Sequence, residues 1–268
     1  MTTIPHPFIG LVLIASVSVT PGYAAAQSVA QRVNGAGRGT VEFQFAARPG
    51  VCGDGRSSYS IGGAIQMGDV GYKNGRNGLS ACLPGPVRAR LRLDDGAITA
   101  VRVFVGPARG GEPPDTELGM VPTSEAADFL LHIAETANGR AASGAIEGAV
   151  LADSVSVWRR LLAIARDSAT RSGSTRQSAR FWVGRFAAAK SAGHGEDLAA
   201  AADDVDRDDP RSSAIFALTQ LKDGGGVPSL LEIARSHRDP ALRKQALFWL
   251  GESGDPRGIE LFEQILRR

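Results

Sequence analysis

The sequence has few of the residues that usually build catalytic or metal sites. It contains only two cysteines, Cys52 and Cys82, and no C-x-x-C pair, which argues against a cysteine-based zinc or redox centre. Its four histidines are scattered, without an H-x-x-x-H or H-E-x-x-H spacing, and no G-x-S-x-G nucleophile elbow occurs. We therefore expect no metal and no cofactor, and we predict that the protein is not an enzyme.

An excess of one charge is also missing. The 30 Lys and Arg residues nearly balance the 28 Asp and Glu residues, and the formal net charge of +2 is too small to predict binding to nucleic acid. One acidic run, at residues 203–209, suggests calcium, but it lacks the glycine and the final glutamate of an EF-hand loop. We favour a solubilising turn before Pro210, with calcium binding as the alternative.

The amino-terminal apolar run is too short to cross a membrane. It extends from Phe8 to Val19 and is followed by Pro21-Gly22 and an alanine triplet at 24–26. This order is typical of an export signal, although no Lys or Arg precedes the run. We predict a signal peptide at 1–26, a periplasmic or secreted protein, and no membrane span after cleavage. In an oxidising compartment we expect Cys52 and Cys82 to form a disulfide, worth roughly 3–4 kcal/mol by loop entropy.

The next part of the chain has the pattern of β structure. We expect a flexible lead-in at 27–39, a β-rich domain with the disulfide at 40–110, and a Pro/Gly-rich linker at 111–121. Val41, Phe43 and Phe45 alternate with polar residues, as in a strand that is buried on one face.

A β-hairpin is predicted around Asp94-Asp95-Gly96. Apolar residues at 87, 89, 91 and 93 alternate with arginines at 88, 90 and 92, and valines follow at 101, 103 and 105. A two-residue loop would place the arginines on the face of the valines, so we expect a three-residue loop with a left-handed Gly96. The arginines, with Arg102, are expected on a solvated sheet face; a basic strip that binds a ligand is the alternative.

The second half contains an internal repeat. Leu161–Arg166 (LLAIAR) returns as Leu230–Arg235 (LLEIAR), and Ala179–Gly184 (ARFWVG) returns as Ala246–Gly251 (ALFWLG). A diverged copy of the second block lies at 214–219, so the leading alanines are 35 and 32 residues apart. This period predicts units of two antiparallel helices that stack into a solenoid.

The last repeat resembles a known family. Residues 239–251, D-P-A-L-R-K-Q-A-L-F-W-L-G, followed by G-D-P-R-G-I at 254–259, resemble HEAT repeats, closest to the HEAT-like type of phycobilisome (PBS) lyases. The resemblance is strongest at 227–267 and weakest at 122–151, and the whole chain is similar to exported bacterial HEAT-repeat proteins. The expected fold class is α+β: a small β-rich domain followed by an α-solenoid of HEAT-like repeats at 122–268.

The resemblance also implies roles for repeated residues. In the family, arginines at this repeat position form a ladder with aspartates of the turns; the corresponding residues are Arg176, Arg211 and Arg243 with Asp209 and Asp239. A basic row that binds an acidic partner remains the alternative. The three tryptophans, at 158, 182 and 249, fit either core positions or exposed anchors.

The function that follows is an expectation from the resemblance. HEAT-like solenoids present a concave surface that is used chiefly for protein contacts, so we predict a non-enzymatic protein–protein interaction scaffold acting outside the cytoplasm on an unidentified protein partner. The alternative is a lyase-like or hydrolytic enzyme with a site between the β domain and the solenoid, which a pocket of perturbed ionisable groups there would favour. A calcium- or envelope-binding module is a third possibility.

Overall fold

The computed structural model describes residues 27–63, 65–67, 73–74, 82–200 and 210–268. The predicted signal peptide and the whole acidic run at 203–209, which includes Asp209, therefore lie outside the described residues. The described chain consists of an amino-terminal β region with helices packed on it and a helical carboxy-terminal part.

A four-stranded sheet forms the centre of the amino-terminal region. Its strands are β1 (Gly39–Phe45), β6 (Val87–Asp94), β7 (Ala97–Val105) and β8 (Thr116–Met120), in the order β7-β6-β1-β8. Strand β8 runs parallel to β1, and the other pairs are antiparallel. The predicted linker at 111–121 is thus wrong for its second half, because β8 is held by pairing with a strand about 75 residues earlier, which local composition does not indicate.

A second sheet is small and carries the disulfide. Strands β2 (Val51–Gly53), β3 (Tyr59–Ile61), β4 (Ile65–Met67) and β5 (Lys73–Asn74) pair antiparallel in chain order. Cys52 on β2 is bonded to Cys82, with the two Cα atoms 5.1 Å apart. The next residues, Gly53 and Leu83, exchange two backbone hydrogen bonds. The disulfide and these hydrogen bonds therefore hold the same two stretches of chain together.

The predicted flexible lead-in contains a helix, α1 (Val29–Ala36). The Ser28 hydroxyl accepts a hydrogen bond from the Gln31 amide, and the Gln31 side-chain oxygen accepts one from the Ser28 amide, which is a capping box. Val29 and Val33 are buried. The prediction at 27–39 was wrong because it gave weight to the glycines at 35, 37 and 39 and missed the S-x-x-Q capping box.

Two helices cover the main sheet, α2 (Thr123–Thr136) and α3 (Gly139–Leu151). They pack against each other, and α3 lies on β7 and β6. The assignment of 122–151 to the helical repeats stays a prediction: α3 covers the buried valines of β7 and also packs against the helix at Gly173–Ser191.

The hairpin joining β6 and β7 differs from the predicted loop. It turns through two residues, Asp95 and Gly96, which have φ values of 47° and 78°. The register shifts between Arg92 and Leu93, leaving Thr99 as an extra residue in β7. This bulge restores the facing of the two strands, so the valines of β7 lie opposite the apolar residues of β6.

The carboxy-terminal part consists of six helices among the described residues. They are α4 (Trp158–Arg166), α5 (Gly173–Ser191), α6 (Pro210–Thr219), α7 (Val227–Ser236), α8 (Pro240–Ser253) and α9 (Pro256–Arg267). Ser172, Asp239 and Asp255 cap the helices that follow them. The repeated blocks form two helical hairpins, α4–α5 and α7–α8.

The three related helices α5, α6 and α8 do not stack in chain order. Helix α8 lies beside α5, while α6 packs against α8. Gly251 lies beside the Arg180 carbonyl and Gly184 beside the Leu247 carbonyl, so α5 and α8 are antiparallel. Units in a linear stack differ by a small rotation and keep their helix directions. These contacts therefore do not confirm the predicted solenoid for these helices.

Candidate functional site

The packing order α5–α8–α6 brings four aromatic rings into one row. Phe181 on α5 lies 6.2 Å from Phe248 on α8, measured between ring centroids. Phe248 and Trp249 are 5.0 Å apart, and Trp249 is 5.2 Å from Phe216 on α6. The Phe248-Trp249 pair of α8 thus contacts an aromatic residue on each of the two neighbouring helices, α5 and α6.

The outer face of α6 is apolar and exposed. Phe216 is 47% exposed and Leu221, just after the helix, is 51% exposed. Ala214 and Ala217 are exposed as well, and we call these four residues the α6 patch. The leading alanines of the other two copies, Ala179 and Ala246, are fully buried, so α6 occupies an environment unlike theirs.

Helix α9 differs from α6 in having a polar exposed face. Its exposed positions carry Glu260, Gln264 and Arg267, whereas Ile259, Leu261, Phe262 and Leu266 are buried. Helix α6 has no such polar stripe after Ser213. A helix that is apolar on most of its surface is normally covered on more than one side.

Charged side chains flank the aromatic row. The Arg185 guanidinium lies 5.4 Å from the Phe181 ring and 5.0 Å from the Phe248 ring. Burial lowers the pKa of Arg180, and the nearby charge of Arg176 lowers it further. The pairing of aromatic and cationic groups makes this part of the helical surface amphipathic.

The structure places the residues of the predicted ladder as follows. Arg211 and Asp239 form an ion pair with a 3.2 Å N–O distance, and Asp239 also caps α8. Arg176 donates to the Arg171 carbonyl, and Arg243 donates to the His237 carbonyl. Arg176 and Arg243 therefore brace the turn before their own helix.

The tryptophans divide between the two predicted environments. Trp158 and Trp182 are buried, whereas Trp249 is partly buried and belongs to the aromatic row. A residue at the same repeat position thus has a different environment in each copy, because α8 has α6 beside it and α5 has α3.

The arginines of β6 do not form a simple solvated face. Arg88 and Glu42 are both almost fully buried, and Arg90 donates to Glu42 over 2.8 Å. The guanidinium groups of Arg88, Arg90 and Arg102 lie 5.2–5.5 Å from the Phe104 ring. Glu42 thus pairs with Arg88 and Arg90 on this face of the sheet. Arg88 also donates a hydrogen bond to the Gly55 carbonyl, which connects the sheet to the loop at Gly55.

One pair of ionisable groups was not anticipated from the sequence. The Tyr59 hydroxyl, on β3, donates to the Glu147 carboxyl, on α3, over 2.5 Å. The pair borders a polar cavity of about 170 Å³ that Ser57 also lines. Burial raises the pKa of Glu147 and raises the pKa of Tyr59 well above its ordinary value. The lone glutamate within A-A-S-G-A-I-E-G-A-V-L was the signal that could have indicated this site.

The larger cavity, about 480 Å³, lies where β1 and β8 end and is lined mainly by apolar residues, including three prolines (Pro49, Pro84, Pro86) and Met120. The charged residue in its wall, Arg48, donates to the Val150 carbonyl over 2.7 Å and also to the Val155 carbonyl. Arg48 thus serves to join the loop after β1 to the end of α3.

The described part of the chain has neither a cluster of metal ligands nor a membrane-spanning helix. No group of three or more His, Cys, Asp or Glu residues there could hold a metal ion. Within the same residues, no helix is both long enough and apolar enough to cross a membrane.

Comparison with known proteins agrees with the repeat pattern in the last quarter of the chain. A family model described as HEAT repeats matches residues 195–268, which include α6, α7, α8 and α9. No curated protein and no solved structure gives a significant match to the chain. Residues 195–268 are therefore similar to HEAT repeats.

Proposed function

We propose that this protein is a non-enzymatic interaction scaffold and that the α6 patch is the surface that a partner protein covers. The observation that carries the proposal is the exposure of Phe216 on α6 and of Leu221 just after it, next to the exposed Ala214 and Ala217. Burying a phenylalanine side chain stabilises an interface by about 1.5–3 kcal/mol, so an uncovered one is a strong local driving force for association.

The family match supports a protein as the occupant. HEAT repeats are typically protein-interaction elements, and the matched region includes α6. The patch continues into the aromatic row through the contact of Phe216 with Trp249. Aromatic residues at the centre of an apolar patch are the usual energetic anchors of protein interfaces. We therefore expect a partner that presents an apolar surface to Phe216.

The place of action is part of the same proposal. The apolar run at 8–19, followed by an alanine triplet, supports export, and the disulfide between Cys52 and Cys82 fits an oxidising compartment. We propose that the scaffold acts in the periplasm or outside the cell.

Photocrosslinking tests the surface directly. A photoreactive phenylalanine analogue is placed at position 216 and, as a matched control, at Met120, which is 63% exposed on a different face. We expect a specific protein adduct from position 216 only. The identified partner is then purified, and its affinity should fall by roughly 10- to 100-fold in Phe216→Ser, the equivalent of the lost burial energy, and stay unchanged in Met120→Ser. Equal adducts from both positions, or none from position 216, would contradict the proposal.

The enzymatic alternative has one supporting observation, the perturbed pair Tyr59 and Glu147. The pair joins β3 of the β-rich domain to α3, which belongs to the stretch 122–268 predicted as solenoid, so it lies where a pocket of perturbed groups was expected to favour an enzyme. Among the described residues that line its cavity, no second carboxylate, histidine or cysteine is present to complete a catalytic arrangement. We therefore prefer the interaction scaffold.

A further inference from the structure

We propose that the contact between Tyr59 and Glu147 is a pH-sensitive latch, which fastens the disulfide-bonded sheet to α3 and loosens as pH rises. This inference does not depend on the proposed interaction function. It concerns the amino-terminal region, whose role nothing above has assigned.

The geometry makes Glu147 a connection between two separate parts of the fold. Glu147 belongs to the helix that covers the main sheet, and Tyr59 belongs to the central strand pair of the small sheet. Tyr59 is only 2% exposed, so its hydroxyl has little access to water other than through the adjoining cavity. When the two groups separate, a buried tyrosine and a partly buried carboxyl both lose their hydrogen bond.

Two glycines allow α3 to bring Glu147 this close. A Cβ atom at Gly144 would lie 2.0 Å from the Val101 carbonyl oxygen, and one at Gly148 would lie 2.9 Å from Leu130 Cδ1. Both positions flank Glu147 on the same helix. The close approach of α3 to β7 thus sets the distance between the carboxyl and β3.

Among the described residues, the charged groups nearest Glu147 have other contacts of their own. Its pKa is raised by burial, and the hydrogen bond from Tyr59 lowers it by a smaller amount. From β7, Arg102 borders the same cavity, but its guanidinium lies over the Phe104 ring. From the loop before β3, Asp54 accepts hydrogen bonds from the Arg56, Ser57 and Ser58 amides, and Arg56 donates to the Arg109 carbonyl. The buried residues of α2 are all apolar.

The sign of the pH effect follows from the raised pKa. A carboxyl with a higher pKa in the folded state binds its proton more tightly there than in the unfolded chain. The closed arrangement that buries Glu147 is therefore most stable below the ordinary pKa of 4.5, and this stability is lost as pH rises through the higher folded-state pKa of Glu147, because burial costs the carboxylate more than the hydrogen bond from Tyr59 returns. Above that pH, an ionised carboxylate with one neutral donor favours entry of water between β3 and α3.

Two measurements on the chain from residue 27 test the latch. The pKa of Glu147 is read from the pH dependence of its side-chain ¹³C resonance and should lie above 4.5. Hydrogen exchange of peptides covering residues 51–61, corrected for intrinsic rates, should be at least about threefold faster at pH 7.5 than at pH 4. Glu147→Gln should remove this difference, and Glu112→Gln, which alters an exposed carboxylate, should retain it.

A third variant separates the latch from a general loss of stability. Tyr59→Phe removes the hydrogen bond that lowers the pKa of Glu147, so its resonance should titrate at a higher pH than in the unaltered protein. This readout stands even where Glu147→Gln fails to fold. A Glu147 pKa at or below 4.5, or the same pH-dependent exchange in Glu147→Gln as in the parent protein, overturns the proposal.

Discussion

Single residues of α3, Gly144 and Glu147, make close contacts in the amino-terminal region that the sequence alone does not predict. Gly144 lies in the middle of α3, where glycine costs helix stability of about 1 kcal/mol relative to alanine. The cost is offset because the helix can then lie directly against the Val101 carbonyl. Glu147 depends on the same approach, so the ionisable pair could not be found without knowing which strand lies under α3.

Gly144→Ala should destabilise the protein by about 2–3 kcal/mol, since a backbone carbonyl 2.0 Å from the new Cβ can move only with its strand. The measurement is the free energy of unfolding in urea, followed by circular dichroism. Gly173→Ala is the matched control: it lies in α5 with open space around it, and we expect no loss or a gain of up to about 1 kcal/mol. Equal effects of the two substitutions would show that helix propensity, and not the contact with β7, dominates at Gly144.

At the scale of elements, strand alternation predicts which residues face the core, but a bulge decides how this is achieved. The pairs Val87 with Val105 and Leu91 with Val101 match the predicted faces. The predicted three-residue loop did not occur, because the same correction of facing is made by Thr99 within the strand. Both solutions add one residue to one strand, and the pattern of apolar residues does not distinguish them.

Deleting Thr99 should abolish cooperative folding of the amino-terminal region. Without the extra residue, Val101, Val103 and Val105 would turn to the face of Arg88 and Arg90, and the arginines of one strand would oppose the valines of the other. Loss of the cooperative thermal transition and strong binding of a dye for exposed apolar surface would report this. Thr99→Ala keeps the register and loses one hydrogen bond to the Arg92 carbonyl, so we expect a change of at most about 1 kcal/mol. A deletion variant that melts like Thr99→Ala would contradict the role of the bulge.

At the scale of the whole molecule, α3 connects the two parts, because it packs against β7 on one side and against α5 on the other. The bridge between Ala47 and Ala152 and the hydrogen bonds of Arg48 connect the loop after β1 to the end of α3. Helices α2 and α3 resemble a degraded repeat in their sequence, yet they bury the apolar face of the sheet.

A fragment of residues 27–156 should fold cooperatively, whereas a fragment of residues 27–121 should not. The longer fragment retains α3 over β7 and Phe129 of α2 against Phe43 of β1, while the shorter one removes α3 from Val101 and Val105. Circular dichroism during heating distinguishes a cooperative transition from a gradual one. A cooperative transition in the shorter fragment would place the boundary where the sequence analysis had it.

The sequence by itself determined the local units of this protein. Its repeat predicts the hairpins α4–α5 and α7–α8, since matching apolar stripes at helical spacing require matching partners. The alternation of apolar residues predicts β1 and the β6–β7 pair, and the family match at residues 195–268 supports the HEAT-like resemblance of the last repeat.

Only the tertiary structure decided how these units meet. Strand β8, the covering role of α2 and α3, the antiparallel contact of α5 with α8 and the exposed patch on α6 all depend on surfaces that are distant in the chain. Local sequence specifies that an apolar face must be buried, because water excludes it, but several partners can satisfy that requirement equally well. The choice among them rests on shape and packing of the complete molecule, which no single segment encodes.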